Sequence, residues 1–194
     1  MAEVENSIFI VGGLPRTGKT LLNQRLTYEV GVEGLDTDTV RRMFNANPVS
    51  PISFIANSNL KLCAHAMRPY LEALIDEVAG SSHGFVLSGE MIQPSMVSQS
   101  IHYENIRACF LGLNDPKAAY ERIRGRDDPL DWAAQLDPQY LEVLLGIYAK
   151  RSEKLMRKCG ELGLRYFDSS QDVLVAQNAA HQYLIQEGND ELPA

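Results

Sequence analysis

Eight consecutive residues, Gly13-Leu14-Pro15-Arg16-Thr17-Gly18-Lys19-Thr20, form the pattern G-x-x-x-x-G-K-[ST]. The two glycines let the backbone wrap an anion with its amide N–H groups pointing inward. A helix beginning at the end of the pattern offers its dipole and its unpaired N–H groups to the same anion. Lys19 supplies a point charge for terminal phosphate oxygens, and the Thr20 hydroxyl is a ligand for Mg²⁺. The pattern needs a strand before it and a helix after it. Ser7 to Val11 is a β-branched and aromatic run ending at Gly12-Gly13, and residues 18–30 carry apolar residues at helical spacing.

Three further groups of side chains could do chemistry beside such a loop. Asp38-Thr39-Val40-Arg41 places a carboxylate and a guanidinium three residues apart, on one face of a helix. A carboxylate there can orient an attacking hydroxyl and accept its proton. The alternative is a helix-capping aspartate paired to a surface arginine, and Asp36 competes for the same role. Arg122-Ile123-Arg124-Gly125-Arg126 puts three arginines within five residues of an acidic chain, more than a helix dipole requires. Glu90 follows the apolar run Phe85-Val86-Leu87, two residues beyond Ser88. If the strand continues, Ser88 and Glu90 share a face at its C-terminal end; otherwise Glu90 is a solvated loop carboxylate.

The elements that must position these groups alternate. Strands are expected at 7–11, at 84–87, at 106–113 and at 165–167, with a very short apolar stretch before Asp36. Helices are expected at 18–30, from Asp38 or Thr37 as cap, from Leu60 to Val78 with a kink or break at Pro69, from Asp115-Pro116 to about Arg124, from Asp137-Pro138 to about Cys159, and at 172–185. Residues 45–59 read as a loop or insert, 91–104 as polar and irregular, and the acidic tail from Glu187 as loose. Alternating strands and helices joined by crossovers imply a mainly parallel sheet covered on both faces, within one domain spanning 1–194.

Length and composition agree. The chain has 194 residues, 45% of them hydrophobic and 22% charged, which is ordinary globular composition. Eighteen basic and 25 acidic residues give a net charge of −7, which disfavours extended nucleic acid and a polybasic membrane surface. No apolar run reaches the ~20 residues that span a bilayer, so no membrane is expected. The three cysteines, Cys63, Cys109 and Cys159, form no ligand cluster and read as buried hydrophobes in a reducing compartment, the cytoplasm. Oligomeric state is not encoded in any feature of the sequence.

With its phosphate loop, its D-x-x-R and its arginine cluster, the chain resembles the P-loop nucleotide-dependent kinases of the nucleoside-monophosphate-kinase-like and small-molecule group. The resemblance implies a three-layer α/β sandwich around a five-stranded, mainly parallel sheet, with a short arginine-bearing lid at about 122–137 and an acceptor-binding insert at about 43–80. It implies ATP as phosphoryl donor, Mg²⁺ as the charge-neutralising metal and a small-molecule acceptor. In such kinases the aspartate of D-x-x-R contacts the acceptor hydroxyl and the arginine grips an anionic group. In the R-x-x-x-R of such a lid, matched here by Arg122 and Arg126, the first arginine stacks on adenine and the second reaches transferred phosphate. Carried over, Gly13 to Thr20 and Arg122 bind the nucleotide, Thr20 the metal, and Asp38, Arg41, Glu90 and Arg124 the acceptor. Lys19, Asp38 and Arg126 then carry catalysis. One departure stands out: Ser88 occupies the strand position where an acid is common. That departure leaves a nucleotide-binding regulatory module without phosphotransfer as the alternative, and a nucleic-acid 5′-hydroxyl kinase as a third.

Overall fold

The computed structural model describes residues 6–46, 60–81, 83–100, 104–125 and 131–186. Five strands, β1 (Ile8–Gly13), β2 (Glu33–Asp36), β3 (Phe85–Gly89), β4 (Ile106–Gly112) and β5 (Arg165–Asp168), form one sheet in the order β2-β3-β1-β4-β5. Every pairing is parallel. The helices are α1 (Lys19–Val30), α2 (Thr37–Asn45), α3 (Leu60–Ala79), α4 (Pro94–Ser100), α5 (Pro116–Arg124), α6 (Pro138–Glu161) and α7 (Val173–Ile185).

The period-two alternation of β1 divides the core. Ile8 and Ile10 face α3, α4 and the C-terminal end of α6, through Met67, Leu71, Ile75, Met96 and Cys159. Phe9 and Val11 face α1 and α7, through Leu22, Leu26, Ala176, Ala180 and Leu184. All four β1 side chains are fully buried, as the central strand of a parallel sheet requires. A third cluster sits over the C-terminal ends of the strands: Leu14, Leu113, Ile123, Ala133, Leu141 and Leu145 tie the loop after β1 to α5 and to the first half of α6. The chain leaves β1 towards β2 and β3 on one side and then reaches β4 and β5 on the other. The end of β1 is therefore a topological switch point, where open parallel sheets bind ligands.

Asp115 and Asp137 cap α5 and α6 as their Asp-Pro starts foretell, each accepting two backbone N–H groups. Three expectations change. The cap of α2 is Asp36, whose carboxylate accepts the Asp38 N–H, in place of Asp38 or Thr37. Residues 94–100, expected to be irregular, form α4: Pro94 opens it, and Met96, Val97 and Ser100 turn inward. Helix α3 runs unbroken past Pro69. Pro69 and His65, whose carbonyl loses its helical partner, both lie on the exposed side, where that oxygen is open to solvent. Most of the 45–59 insert, lid residues 126–130 and the tail from 187 lie outside the described residues.

Candidate active site

The phosphate loop runs from the end of β1 into the first turn of α1. Gly13 has φ 136°, and a Cβ on it would stand 2.0 Å from the Leu111 carbonyl oxygen of β4, so only glycine allows the chain to turn there. The Leu14 N–H then donates to that same carbonyl at 3.0 Å. Leu14 O in turn accepts the Thr17 hydroxyl at 2.7 Å and the Lys19 ammonium at 2.5 Å. Gly18, at the N-cap of α1, offers no side-chain cap, so the first N–H groups of the helix stay available to an anion. Gln177 of α7 donates to Gly18 O at 2.6 Å and fixes the loop from behind.

A cleft of about 720 Å³ opens above this loop. It gathers Pro15, Arg16, Gly18, Lys19 and Thr20 of the loop with Asp38 and Arg41 of α2, Glu90 after β3 and Arg122 of α5. These side chains come from segments more than a hundred residues apart. Asp36, Trp132 and Tyr148 complete its polar and aromatic walls. Asp38 and Arg41 pair at 3.3 Å, as their i, i+3 spacing implies, and about half of the Asp38 side chain is exposed to the cleft. Burial lowers the Lys19 pKa from 10.5 to about 8, against the opposing pull of Glu90, Asp36 and Asp38.

The arginines after β4 divide by role. Arg122 lines the cleft, donating to Ser170 O in the loop after β5 and to Arg16 O in the phosphate loop, both at 3.3 Å. Arg124, expected at the substrate, is turned away: it donates to Ala134 O at 2.7 Å and Leu136 O at 2.6 Å, and its guanidinium lies over Tyr120. The reason is position on α5: two residues beyond Arg122, a side chain points to the other flank of the helix. Arg126 lies outside the described residues.

One site residue, Arg151, and several contacts among the others have no signature in the sequence. Arg151 of α6 pairs with Glu90 at 2.7 Å and lies over the Tyr148 ring. It reads as one more cation of an amphipathic helix until the fold carries α6 past the end of β3. Arg16 pairs with the buried Asp131 and lies over Trp132, tethering the phosphate loop to the second half of the expected lid segment. Asp131 also accepts the Ala133 N–H at 2.9 Å. Asp36 and Ser88 are register partners on neighbouring strands, and the Ser88 hydroxyl donates to Asp36 at 3.2 Å. A carboxylate therefore does stand at the position where β3 lacks one.

A second cavity, of about 400 Å³, shares Glu90 with the cleft. Its walls include Arg151, Lys154 and Lys158, which are three to seven residues apart on one face of α6. No helix among the described residues is long and apolar enough to cross a membrane.

No protein-family model matches the chain, and no curated protein matches it by sequence. Solved structures do. A gluconokinase from Sinorhizobium meliloti superimposes with a TM-score of 0.56 at 18% identity, over 93% of this chain and 92% of that one. A shikimate kinase from Bacteroides thetaiotaomicron gives 0.55 at 12% identity, over 92% and 98%. A shikimate kinase from Acinetobacter baumannii in complex with shikimate gives 0.52 at 17% identity, over 92% and 90%. The five-stranded parallel sheet with its covering helices is thus the fold of the small-molecule P-loop kinases.

Proposed function

We propose that this protein is an ATP-dependent phosphotransferase that moves the γ-phosphoryl group of Mg·ATP to a hydroxyl of a small acceptor carrying a negative charge. One observation carries the reading: the phosphate loop with Lys19, the Asp38–Arg41 pair and Glu90 border one cleft, and Glu90 pairs with Arg151 in the cavity beside it. The loop amides and Lys19 hold phosphate oxygens. Arg122 covers the base. Asp38 accepts the proton of the attacking hydroxyl and holds it in line. Phosphoryl transfer asks a protein chiefly for such positioning and charge stabilisation. Arg126 belongs to the proposal as the lid arginine.

The donor set fits magnesium. Among the described residues no cluster of three or more His, Cys, Asp or Glu forms a metal cage. Mg²⁺ needs none, because it keeps waters and takes phosphate oxygens with one or two protein groups. Thr20 and Asp36, both at the cleft, would hold it, and it would neutralise charge on the β- and γ-phosphates. The Ser88–Asp36 bond also weakens the case for a non-catalytic nucleotide switch, since that reading rested on the missing acid.

The charge on the acceptor is inferred from the second cavity. Arg151 is paired with Glu90 and Lys158 with Glu161 at 3.1 Å, so Lys154 is the cation of that cavity left to meet a negative group on the acceptor. The test is ADP release with hydroxylated carboxylic acids and phosphate esters against neutral polyols and nucleosides. Turnover by a member of the charged set, lost ~10²–10⁴-fold in Asp38→Asn, is expected. The reading fails if Mg·ATP binds, no compound accepts phosphate, and Asp38→Asn changes nothing.

A further inference from the structure

Asn23, on α1, does not border the cleft, yet it reaches between β2 and β3 directly behind it. Its side-chain NH₂ donates to the Ser88 hydroxyl oxygen at 2.7 Å and to the Leu35 carbonyl at 3.5 Å. Its amide oxygen accepts the Thr27 hydroxyl at 3.4 Å. A backbone carbonyl can only accept, so the NH₂ faces the strands and the oxygen faces Thr27. Ser88 is fully buried and has one hydrogen to give. With Asn23 donating into its oxygen, that hydrogen goes to Asp36, 3.2 Å away. The second Asp36 oxygen accepts the Asp38 N–H at 2.7 Å. The bonds run in one direction, from Asn23 through Ser88 to Asp36, and both carboxylate oxygens are fixed.

The strand makes room for this arrangement. A Cβ on Gly34 of β2 would stand 2.6 Å from the Asn23 amide oxygen and 2.8 Å from the Thr27 hydroxyl. Any larger residue at 34 would push Asn23 out of the gap.

We propose that Asn23 is a positioning residue: acting through Ser88, it sets the orientation of the Asp36 carboxylate at the cleft, so that β2 supplies the acid that β3 lacks. The proposal rests on the Mg·ATP-binding part of the reading above, and not on the identity of the acceptor. Without Asn23 the Ser88 hydroxyl has no fixed donor, is free to turn its hydrogen away, and leaves Asp36 held by one oxygen only. The loss is felt by a ligand that meets Asp36, and hardly by the nucleotide alone.

The measurement is the affinity of a fluorescent ATP analogue with magnesium and with EDTA, taken as a ratio so that general damage cancels. The variants are Asp36→Asn, Asn23→Leu, Ser88→Ala, Gly34→Ala, Asn23→Leu with Ser88→Ala, and Ser88→Asp with Asp36→Asn. Asp36→Asn is expected to cut the magnesium ratio about tenfold or more, and Asn23→Leu, Ser88→Ala and Gly34→Ala roughly three- to tenfold, as for outer-shell partners of metal sites. Asn23→Leu with Ser88→Ala should be no worse than either alone, because the two act in series. Ser88→Asp with Asp36→Asn should recover the ratio to within about threefold, since the Asn23 NH₂ then donates directly to a carboxylate on β3. An unchanged ratio in both Asn23→Leu and Gly34→Ala overturns the proposal, as does equal weakening with magnesium and with EDTA. If circular dichroism shows Asn23→Leu unfolded, Ser88→Ala and Gly34→Ala decide the matter. The two readings fail separately: a wild type that shows the expected ratios but phosphorylates no acceptor sinks the transferase reading alone, and flat ratios with normal turnover sink this one alone.

Discussion

Lys19 is held in a position that is costly to the fold and useful to the chemistry. Burial brings its pKa to about 8, so the free protein loses that charge as pH rises through about 8. Because kcat/KM reports groups in the free enzyme, kcat/KM for ATP should fall above that pH, while kcat, measured with phosphates bound beside the ammonium, should hold to higher pH. A pH series of initial rates checks this. The sign for folding is opposite. Between about 8 and 10.5 the unfolded chain keeps the proton that the folded one has lost, so the contribution of Lys19 to stability rises with pH across that window and is least favourable below it. Lys19→Met should therefore raise the melting temperature at pH 7 while abolishing nucleotide binding, the trade expected of a residue kept for function. The two arginines of α5 give a second contrast at this scale. Arg122→Ala should raise KM for ATP and lower the melting temperature less than Arg124→Ala, since its bonds to Ser170 O and Arg16 O are long, at 3.3 Å. Arg124→Ala should lower the melting temperature with little change in KM, since it removes bonds to Ala134 O and Leu136 O and leaves those carbonyls without their partner.

At the scale of elements, the loop between β1 and α1 is legible in full, because its chemistry is local. Glycines, lysine and hydroxyl are spaced by the anion they wrap, and the structure places them at the expected strand-to-helix junction. Gly13→Ala should destabilise the protein and remove nucleotide binding together, because its Cβ would press on the Leu111 carbonyl at 2.0 Å; thermal melting and analogue binding should fail in the same variant. The Asp-Pro helix starts at 115 and 137 were legible for the same local reason. Helix α4 was not: its inward residues Pro94, Met96, Val97 and Ser100 are too few and too mixed to show a period, and packing against the sheet decides it. The cap of α2 was misplaced because Asp36, Thr37 and Asp38 are all good capping residues. The tie went to Asp36, which ends β2 in extended geometry with its carboxylate already oriented by Ser88.

At the scale of the whole molecule, three apolar clusters among the described residues divide the labour. Two hold helices to the faces of the sheet, and the third holds α5 and the start of α6 over the strand ends, which is what creates a cleft there. Residues of the phosphate loop, α2, α5 and α6 all line that cleft, so a ligand filling it would bridge them. Mg·ATP at a hundred times its Kd should then stabilise the fold by about 2.7 kcal/mol, and raise the melting temperature by roughly 5–11 °C for a chain of this size. Differential scanning fluorimetry reads this directly. The three cysteines are buried and unpaired by disulfides, and burial pushes the Cys159 thiol up to about 12 and Cys109 further. Thiol reagents should leave the native protein unmodified and label it only on unfolding.

The sequence alone determined the phosphate loop, the alternation of strands and helices, the mainly parallel sheet and the placing of Asp38 and Arg41 on one helix face. Each of these depends on residues close in the chain, where spacing and chemistry act together. Only the tertiary structure decided what stands across from them. It turned Arg122 into the cleft and Arg124 out of it, brought Arg151 from α6 to Glu90, and set Asn23 and Ser88 behind Asp36. Apart from Arg124, which reaches 10 residues along to Ala134, those contacts join residues 48 to 65 positions apart, and no local pattern records them. They exist because a parallel sheet gathers the ends of its strands on one edge, whatever their order in the chain.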